Sequence, residues 1–343
     1  MKASRILIVL LLTVFGIVAA ACGGAQDGGS QGSDETIVLG LPTAQTSFAN
    51  ADAAVAEEQG FFEEQGLQVE TRNFGSGVDV SQAVVSGDLQ IGASSIEPVV
   101  QATAEGANFW IIGSYANRLT VSMVTPESIS SAADLRGKNL GIQDVGAFRE
   151  VMTRMVLQTE GLTPDDVNYR PVESNAYIGA LLAGQISSAI LQTEQTVEVM
   201  NQDKGFHELV DLYEIEPRYY YGTYFVDKNW LAENEDTAVR FLTAITEAHR
   251  FMYENREKTV EIVADTSGFD QEVIDNAYET LLVEHKVFPV DEGLEEDRLN
   301  YTMGRMEELD LLGAGRPNLS DVVDRGPISK AVEDLGPAEG GSQ

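Results

Sequence analysis

The chain of 343 residues sets 22 Lys and Arg against 55 Asp and Glu, a net charge of −33 near neutral pH. Such a surface repels nucleic acid and anionic headgroups, and no basic patch in the sequence reverses it, which excludes nucleic-acid binding. With a single cysteine, Cys22, the chain forms no internal disulfide, and the fold rests on its core alone.

Residues 1–5 carry Lys2 and Arg5, residues 6–21 carry no charge, and Ala19-Ala20-Ala21 precede Cys22. A basic start, an apolar run and small residues before a cut read as a secretory signal over 1–21. A cysteine directly after the small residues makes it resemble a lipoprotein signal, whose thiol takes a diacylglyceryl group and becomes the first residue of the mature chain. Ala19 stands where such signals usually place Leu. The alternative is an uncleaved anchor, because the run is only slightly short of the roughly 20 apolar residues that span a bilayer. Both readings put the rest of the chain outside the cytoplasm, held at the cell membrane by its N-terminus. Losing Lys2 and Arg5 with the leader takes the charge to −35, 20 bases against 55 acids. The Gly- and Ser-rich residues 22–35 read as a flexible tether and 336–343 as a frayed tail. About 300 residues of ordinary composition remain, enough for two lobes.

From residue 36 short apolar runs alternate with helical patterns. Strands are expected at 36–42, 67–74, 89–95 and 108–115, with helices at 50–62, 80–87 and 97–105 between them, the first two closing at Gly60 and Gly87. Strands spaced by helices of this length indicate parallel βαβ units. Residues 119–126 read as a long connecting strand. A second set follows, with strands at 139–144, 167–172 and 187–192 and helices at 148–160 and 176–184. YYYGTYFVD (219–227) reads as a return strand. Beyond it the chain is helical, with Asp236 expected to cap a helix over 237–255 and Asp270 to cap the next. These last helices are expected to be scaffold. The layout predicts an α/β protein of two lobes joined by two crossing strands: lobe 1 from 36–123 and 223–335, lobe 2 from 124–222. Ligands in such sheets bind beyond the carboxyl ends of the strands, and lobe interfaces are favoured cavity positions.

Five phrases in order then resemble one family: AEEQGFFEEQGLQVE (56–70), GSGVDVSQAVVSGDLQIGASSIEP (75–98), SAADLRGKNLGI (131–142), EGLTPDDVNYRPV (160–172) and GALLAGQISSAILQTEQ (179–195). They are similar to the alkanesulfonate, nitrate, taurine and thiamine-pyrimidine group of ABC-transporter solute-binding proteins. The resemblance implies a periplasmic-binding-protein type II-like fold that closes on one small molecule. It also implies docking on a membrane permease driven by a cytoplasmic ATPase, and neither catalysis nor a cofactor. A monomer is expected. The related thiamine-pyrimidine synthases carry a cysteine-rich motif that is absent here. Menaquinone-pathway relatives work in the cytoplasm, against the export signal. His207, His249 and His285 show no metal-ligand spacing, and HExxH, Walker and G-x-S-x-G patterns are absent. A ligand sensor that feeds a signalling partner remains the alternative among binding roles.

The strand-ending loops supply the candidate ligand contacts. PTAQTSF (42–48) offers Thr43, Gln45, Ser47 and the ring of Phe48; in the family this loop lines the cleft, while Thr46 or Ser47 equally serves as a helix cap. Ser76 lies in GSG (75–77), at a helix start whose backbone N–H groups suit an anion or carbonyl, although such glycines also serve simply to turn the chain. Ser94 and Glu97 fit a capping box, which leaves Ser95 free for the ligand. In lobe 2, Asp144 and Phe148 flank the matching turn; Arg149 is the one base in these loops, on which an anionic ligand would have to rely together with helix N-termini, although a solvated first-turn arginine is the favoured reading. Asn175 and Tyr177 open the next helix. Glu194 matches the acid of the family's W-E-P phrase, but Gln192 and Gln195 stand where its Trp and Pro would be. Tyr115 and Tyr221 add to an aromatic supply suited to stacking on planar rings. An acid, many aromatics and few bases favour a planar heterocycle, riboflavin first and a thiamine-precursor pyrimidine next. Sulfonate, nitrate or taurine is the alternative.

Overall fold

The computed structural model describes residues 35–43, 47–202 and 205–338. The expected signal peptide, Cys22, Gln45 and residues 339–343 lie outside them. Glu35, placed with the tether in the sequence reading, opens the first strand and pairs with Leu67. At the other end, the Gly336 carbonyl accepts a 2.8 Å hydrogen bond from Arg250.

Among the described residues, ten strands form two sheets of five. They are β1 (Glu35–Leu41), β2 (Leu67–Asn73), β3 (Ile91–Ser95), β4 (Phe109–Ala116), β5 (Val121–Pro126), β6 (Asn139–Ile142), β7 (Asn168–Pro171), β8 (Ser188–Gln192), β9 (Phe206–Asp211) and β10 (Gly222–Asp227). The first sheet is ordered β2-β1-β3-β10-β4 and the second β7-β6-β8-β5-β9. In each, three parallel strands are followed by an antiparallel strand and an edge strand. The antiparallel strand is supplied from the other half of the chain. β5 follows β4 but fills the slot in the second sheet, and β10 follows β9 but fills the slot in the first. Residues 119–126 are therefore more than a connector: β5 pairs with both β8 and β9. The sequence pattern missed β9, whose partly exposed residues lack a clean alternation.

Helix ends follow local chemistry. Gly60 and Gly87 both take left-handed φ values, 82° and 81°, and stop the helices Asp52–Gln59 and Gly77–Ser86, a conformation open to glycine at no steric cost. The predicted cap at Asp236 is displaced. The long helix starts nine residues earlier, at Lys228, where Asp227 accepts from the amides of Asn229 and Trp230. Asn234 breaks its helical geometry two residues before Asp236. The Ser94–Glu97 capping box is not formed either. Strand β3 runs through Ser95, which becomes the N-cap residue, while the Ser94 carbonyl accepts from the Thr223 hydroxyl at 3.1 Å. Glu97 turns inward to accept from the Tyr219 hydroxyl at 2.7 Å.

A buried polar knot joins four pieces of the first sheet's side. Asp52 is fully buried, and its Oδ2 accepts from the Tyr224 hydroxyl at 2.9 Å and from His249 Nε2 at 2.9 Å. His249 Nδ1 lies 2.7 Å from the Pro289 carbonyl. Both ring nitrogens thus lie within hydrogen-bond distance of an acceptor, and the imidazole ties Asp52 to the Pro289 carbonyl. Removing one member of a buried hydrogen-bonded pair leaves the other without its partner. His249→Leu is expected to cost roughly 1–3 kcal/mol, with the Asp52→Leu/His249→Leu double variant losing clearly less than the sum of the single variants. Urea unfolding of the four-member cycle measures this.

Candidate functional site

The carboxyl ends of β1, β3, β6 and β8 point toward one cleft between the sheets. Its open volume divides into an outer cavity of about 320 Å³, a constriction of about 20 Å³ and an opposite cavity of about 290 Å³. The outer cavity and the constriction share Thr43, Arg149 and Gln192, and Gln143 joins the constriction to the far side. Hydrogen bonds beside these cavities link one side to the other. Gln143 Nε2 donates to the Gly75 carbonyl at 3.1 Å, Gln101 Nε2 to the Gly146 carbonyl at 3.2 Å, and the Phe48 amide to Glu194 Oε1 at 3.4 Å.

Glu194 is the chemical centre of the outer cavity. It stands in the first turn of the helix Thr193–Gln202 and is 1% exposed. Oε1 receives the Phe48 amide, while Oε2 has no partner among the described residues. Burial pushes the carboxyl up to about 7, against hydrogen bonds from its own amide and from Phe48 and the charge of Arg149. Near neutral pH it is divided between acid and carboxylate.

Arg149 is the main correction to the sequence reading. It is 2% exposed, not solvated. Its guanidinium donates to the Ile190 carbonyl and, at 3.1 Å, to Gln195 Oε1, and lies 4.3 Å from the centre of the Tyr177 ring. Burial pulls its pKa down, with Tyr177, Tyr221 and Glu194 acting in the opposite sense. The two glutamines in place of Trp and Pro build this arrangement. Gln195 Oε1 also accepts from the Gln192 amide, and the Gln192 side chain joins the Thr120 hydroxyl at 2.8 Å to the Tyr221 hydroxyl at 2.9 Å.

Of the expected contacts, Thr43, Ser47, Asn175 and Glu194 line the outer cavity; Ser95, Tyr115, Phe148 and Tyr221 line the constriction; Ser76 and Asp144 line the far cavity. Ser47 and Asn50 form a reciprocal cap, and Ser76 accepts from the Asp79 amide. Phe148 and Tyr221 pack with ring centres 4.5 Å apart, and Tyr115 meets Tyr221 edge-on at 5.5 Å. Two rings are placed elsewhere. Phe48 is fully buried against Tyr278 and Phe288, and Tyr177 is fully buried beneath Arg149 in a separate apolar cluster. Both serve the core because their own segments turn the side chain away from the cleft. The C-terminal segment is more than scaffold: Gly268, Phe269 and Asp270 close the outer cavity, and Glu198 adds a further carboxylate. Only a loop between two helices marked these residues in the sequence, which carries no signal for a cleft wall. Among the described residues no group of three His, Cys, Asp or Glu side chains is placed to hold a metal ion.

A family model described as NMT1/THI5 like matches residues 48–259. A Brucella abortus protein named as a binding protein is 27% identical over 212 residues, 62% of this chain and 66% of the relative; the chain thus spans just under two thirds of that relative. A Bacillus subtilis protein named as an aliphatic sulfonates-binding protein is 23% identical over 348 residues, 98% of this chain and 99% of its own. In fold, the chain is similar to the alkanesulfonate-binding protein of Xanthomonas axonopodis pv. citri, at a TM-score of 0.71 and 16% identity, covering 85% of this chain and 98% of the other.

The folded state holds the Glu194 proton more tightly than the unfolded chain, where the carboxyl titrates near 4.5. This group therefore favours folding below about pH 4.5 and costs stability progressively up to about pH 7, reaching roughly 3 kcal/mol above it. Glu194→Gln is expected to be more stable than the parent at pH 8 and close to it at pH 4.5, as read by unfolding free energies across that range. A difference independent of pH contradicts the assignment.

Proposed function

The chain belongs to the NMT1/THI5-like family, and from that premise we propose that it is the extracytoplasmic solute-binding subunit of an ABC importer. It captures a small solute between its two lobes and presents the closed form to a membrane permease coupled to a cytoplasmic ATPase. In this reading Cys22 carries the lipid anchor, residues 22–35 are the tether, and one copy of the chain acts as a monomer. Among the described residues no helix is long and apolar enough to cross a membrane. The lobes hinge where the chain changes sheets, at residues 117–120 and 212–221, close to the expected divisions at 123 and 222. No covalent step is involved.

The observation that carries the proposal is the buried, unpartnered Glu194 Oε2 on the wall of an interlobe cavity. A buried acceptor without a partner costs roughly 1–3 kcal/mol, and a ligand N–H that reaches it recovers that cost. Glu198 and Asp270 on the same cavity strengthen the preference for a neutral or cationic donor. The ligand class we propose is a planar heterocycle bearing amino groups. Within that class the thiamine-precursor pyrimidine moves ahead of riboflavin. The large ring surface that favoured a flavin is partly core, with Phe48 and Tyr177 withdrawn, and Phe269 is the one aromatic ring on the outer cavity.

A sulfonate is the second reading, favoured by Arg149. A buried guanidinium beside the cleft suits an oxyanion, and two of the similar proteins are named for sulfonates.

A thermal-shift panel on the chain from Gly23 tests these readings with formylaminopyrimidine, riboflavin, taurine and nitrate. A true ligand at 100 times its dissociation constant stabilises by about 2.7 kcal/mol, a rise of a few degrees at this size. The pyrimidine is expected to give that rise, and Glu194→Gln is expected to weaken its binding 10-fold or more. A rise with taurine that survives Glu194→Gln and disappears in Arg149→Gln supports the sulfonate reading. No rise with any of them, together with no small molecule retained in native mass spectrometry, contradicts the binding role.

A further inference from the structure

A separate cavity of about 240 Å³ shares no wall residue with the cleft. It is built where the chain first changes sheets, from residues 120–122, the helix Thr193–Gln202, the end of β9 with the turn that follows, and the segment Glu279–Glu284 with His285. Four carboxylates surround it: Glu208, Asp211, Glu214 and Glu284. Burial together with neighbouring carboxylates raises both Glu208 and Asp211 above the usual range. The nearest balancing base is His285, whose Nε2 lies 3.6 Å from Asp211, but burial pulls its pKa down. Arg118 is turned to the His285 carbonyl.

An acidic cluster alone is a commonplace of so negative a surface. Here a second feature points to an occupant. Thr196, 7% exposed, lines the same cavity, and its hydroxyl has no partner among the described residues; His285 Nδ1 has none either. Val121 and Val197 add an apolar strip. No three of these groups are placed to ligate a metal. Hydrogen-bond acceptors around an apolar strip suit a cation with N–H donors and a carbon skeleton better than a bare ion.

We propose that this cavity binds a small organic ammonium ion, with the carboxylates of Glu208 and Asp211 and the Thr196 hydroxyl taking its N–H groups. The site bears on the ligand cleft through one helix. Glu194, Gln195 and Glu198 face the cleft from it, and Thr193, Thr196 and Val197 face this cavity. Occupancy therefore acts on the helix that positions Glu194.

Isothermal titration of the chain from Gly23 with putrescine in 150 mM NaCl tests the site. Saturable one-to-one binding is expected for the parent and, unchanged, for Glu194→Gln, which separates this site from the cleft reading. Glu208→Gln/Asp211→Asn is expected to bind at least 10-fold more weakly, and Thr196→Val several-fold more weakly. Removing crowded like charges should leave the thermal melt intact; if the double variant is misfolded, the near-isosteric Thr196→Val carries the test alone. No saturable binding by the parent overturns the proposal. Equal affinity in the variants reveals diffuse attraction to the negative surface and also overturns it. So does calcium that displaces putrescine at matched ionic strength and binds more tightly, because that result assigns the cavity to a metal.

Discussion

The architecture depends on a reciprocal exchange of antiparallel strands. β5 leaves the first sheet and enters the second, and β10 does the reverse. Neither sheet has its fourth strand until the other half of the chain supplies it. Each crossing strand also begins at the cleft floor: Val121 pairs with Gln192, and Gly222 pairs with Ser95. The residues just before these starts, Thr120 and Tyr221, are both bonded to the Gln192 side chain. The points where the chain changes sheets and the floor of the cleft thus share the same few residues. Space there is tight. A methyl group added at Gly222 would lie 2.2 Å from the Tyr115 ring, so only glycine lets β10 pass under that ring.

Charge is distributed on the same logic. The chain carries a large negative excess, most of it solvated and worth little for stability. At the cleft the balance changes, because Arg149 and Glu194 are withdrawn from water together. Each is held by neutral groups: Arg149 by a carbonyl, a glutamine and an aromatic face, Glu194 by one long backbone bond. Neither neutralises the other through a direct ion pair. Burial leaves Glu194 only partly ionised near neutral pH, with Oε2 lacking a partner among the described residues. The Asp52–His249 pair shows the contrasting arrangement, where the two side chains bond each other directly and also reach Tyr224 and Pro289.

Family membership and site geometry bear on different questions. The family match covers residues 48–259 and so includes both crossing segments and most of the cleft wall. Ser267, Gly268, Phe269 and Asp270 lie beyond it, yet they close the outer cavity. The cavity wall therefore extends beyond the matched region.

Much was legible in the sequence. Short apolar runs separated by helical patterns marked nine of the ten strands among the described residues, and Gly60 and Gly87 marked helix ends because left-handed backbone suits glycine. The family phrases pointed to Glu194 and to the loops at strand ends, since those loops gather wherever parallel strands finish on one side. Only the tertiary structure decided which side chains reach the cleft. Phe48, Tyr177 and Arg149 sit beside correctly placed turns, yet the rings went to the core and the arginine left solvent, because burial direction depends on partners more than 25 residues away: Phe288 for Phe48, Ile190 for Arg149 and Arg149 itself for Tyr177. The swap of β5 and β10, and the wall formed by residues 267–270, were hidden for the same reason. Local patterns encode backbone preference, whereas strand partners and cavity walls are set by packing between segments that the sequence keeps far apart.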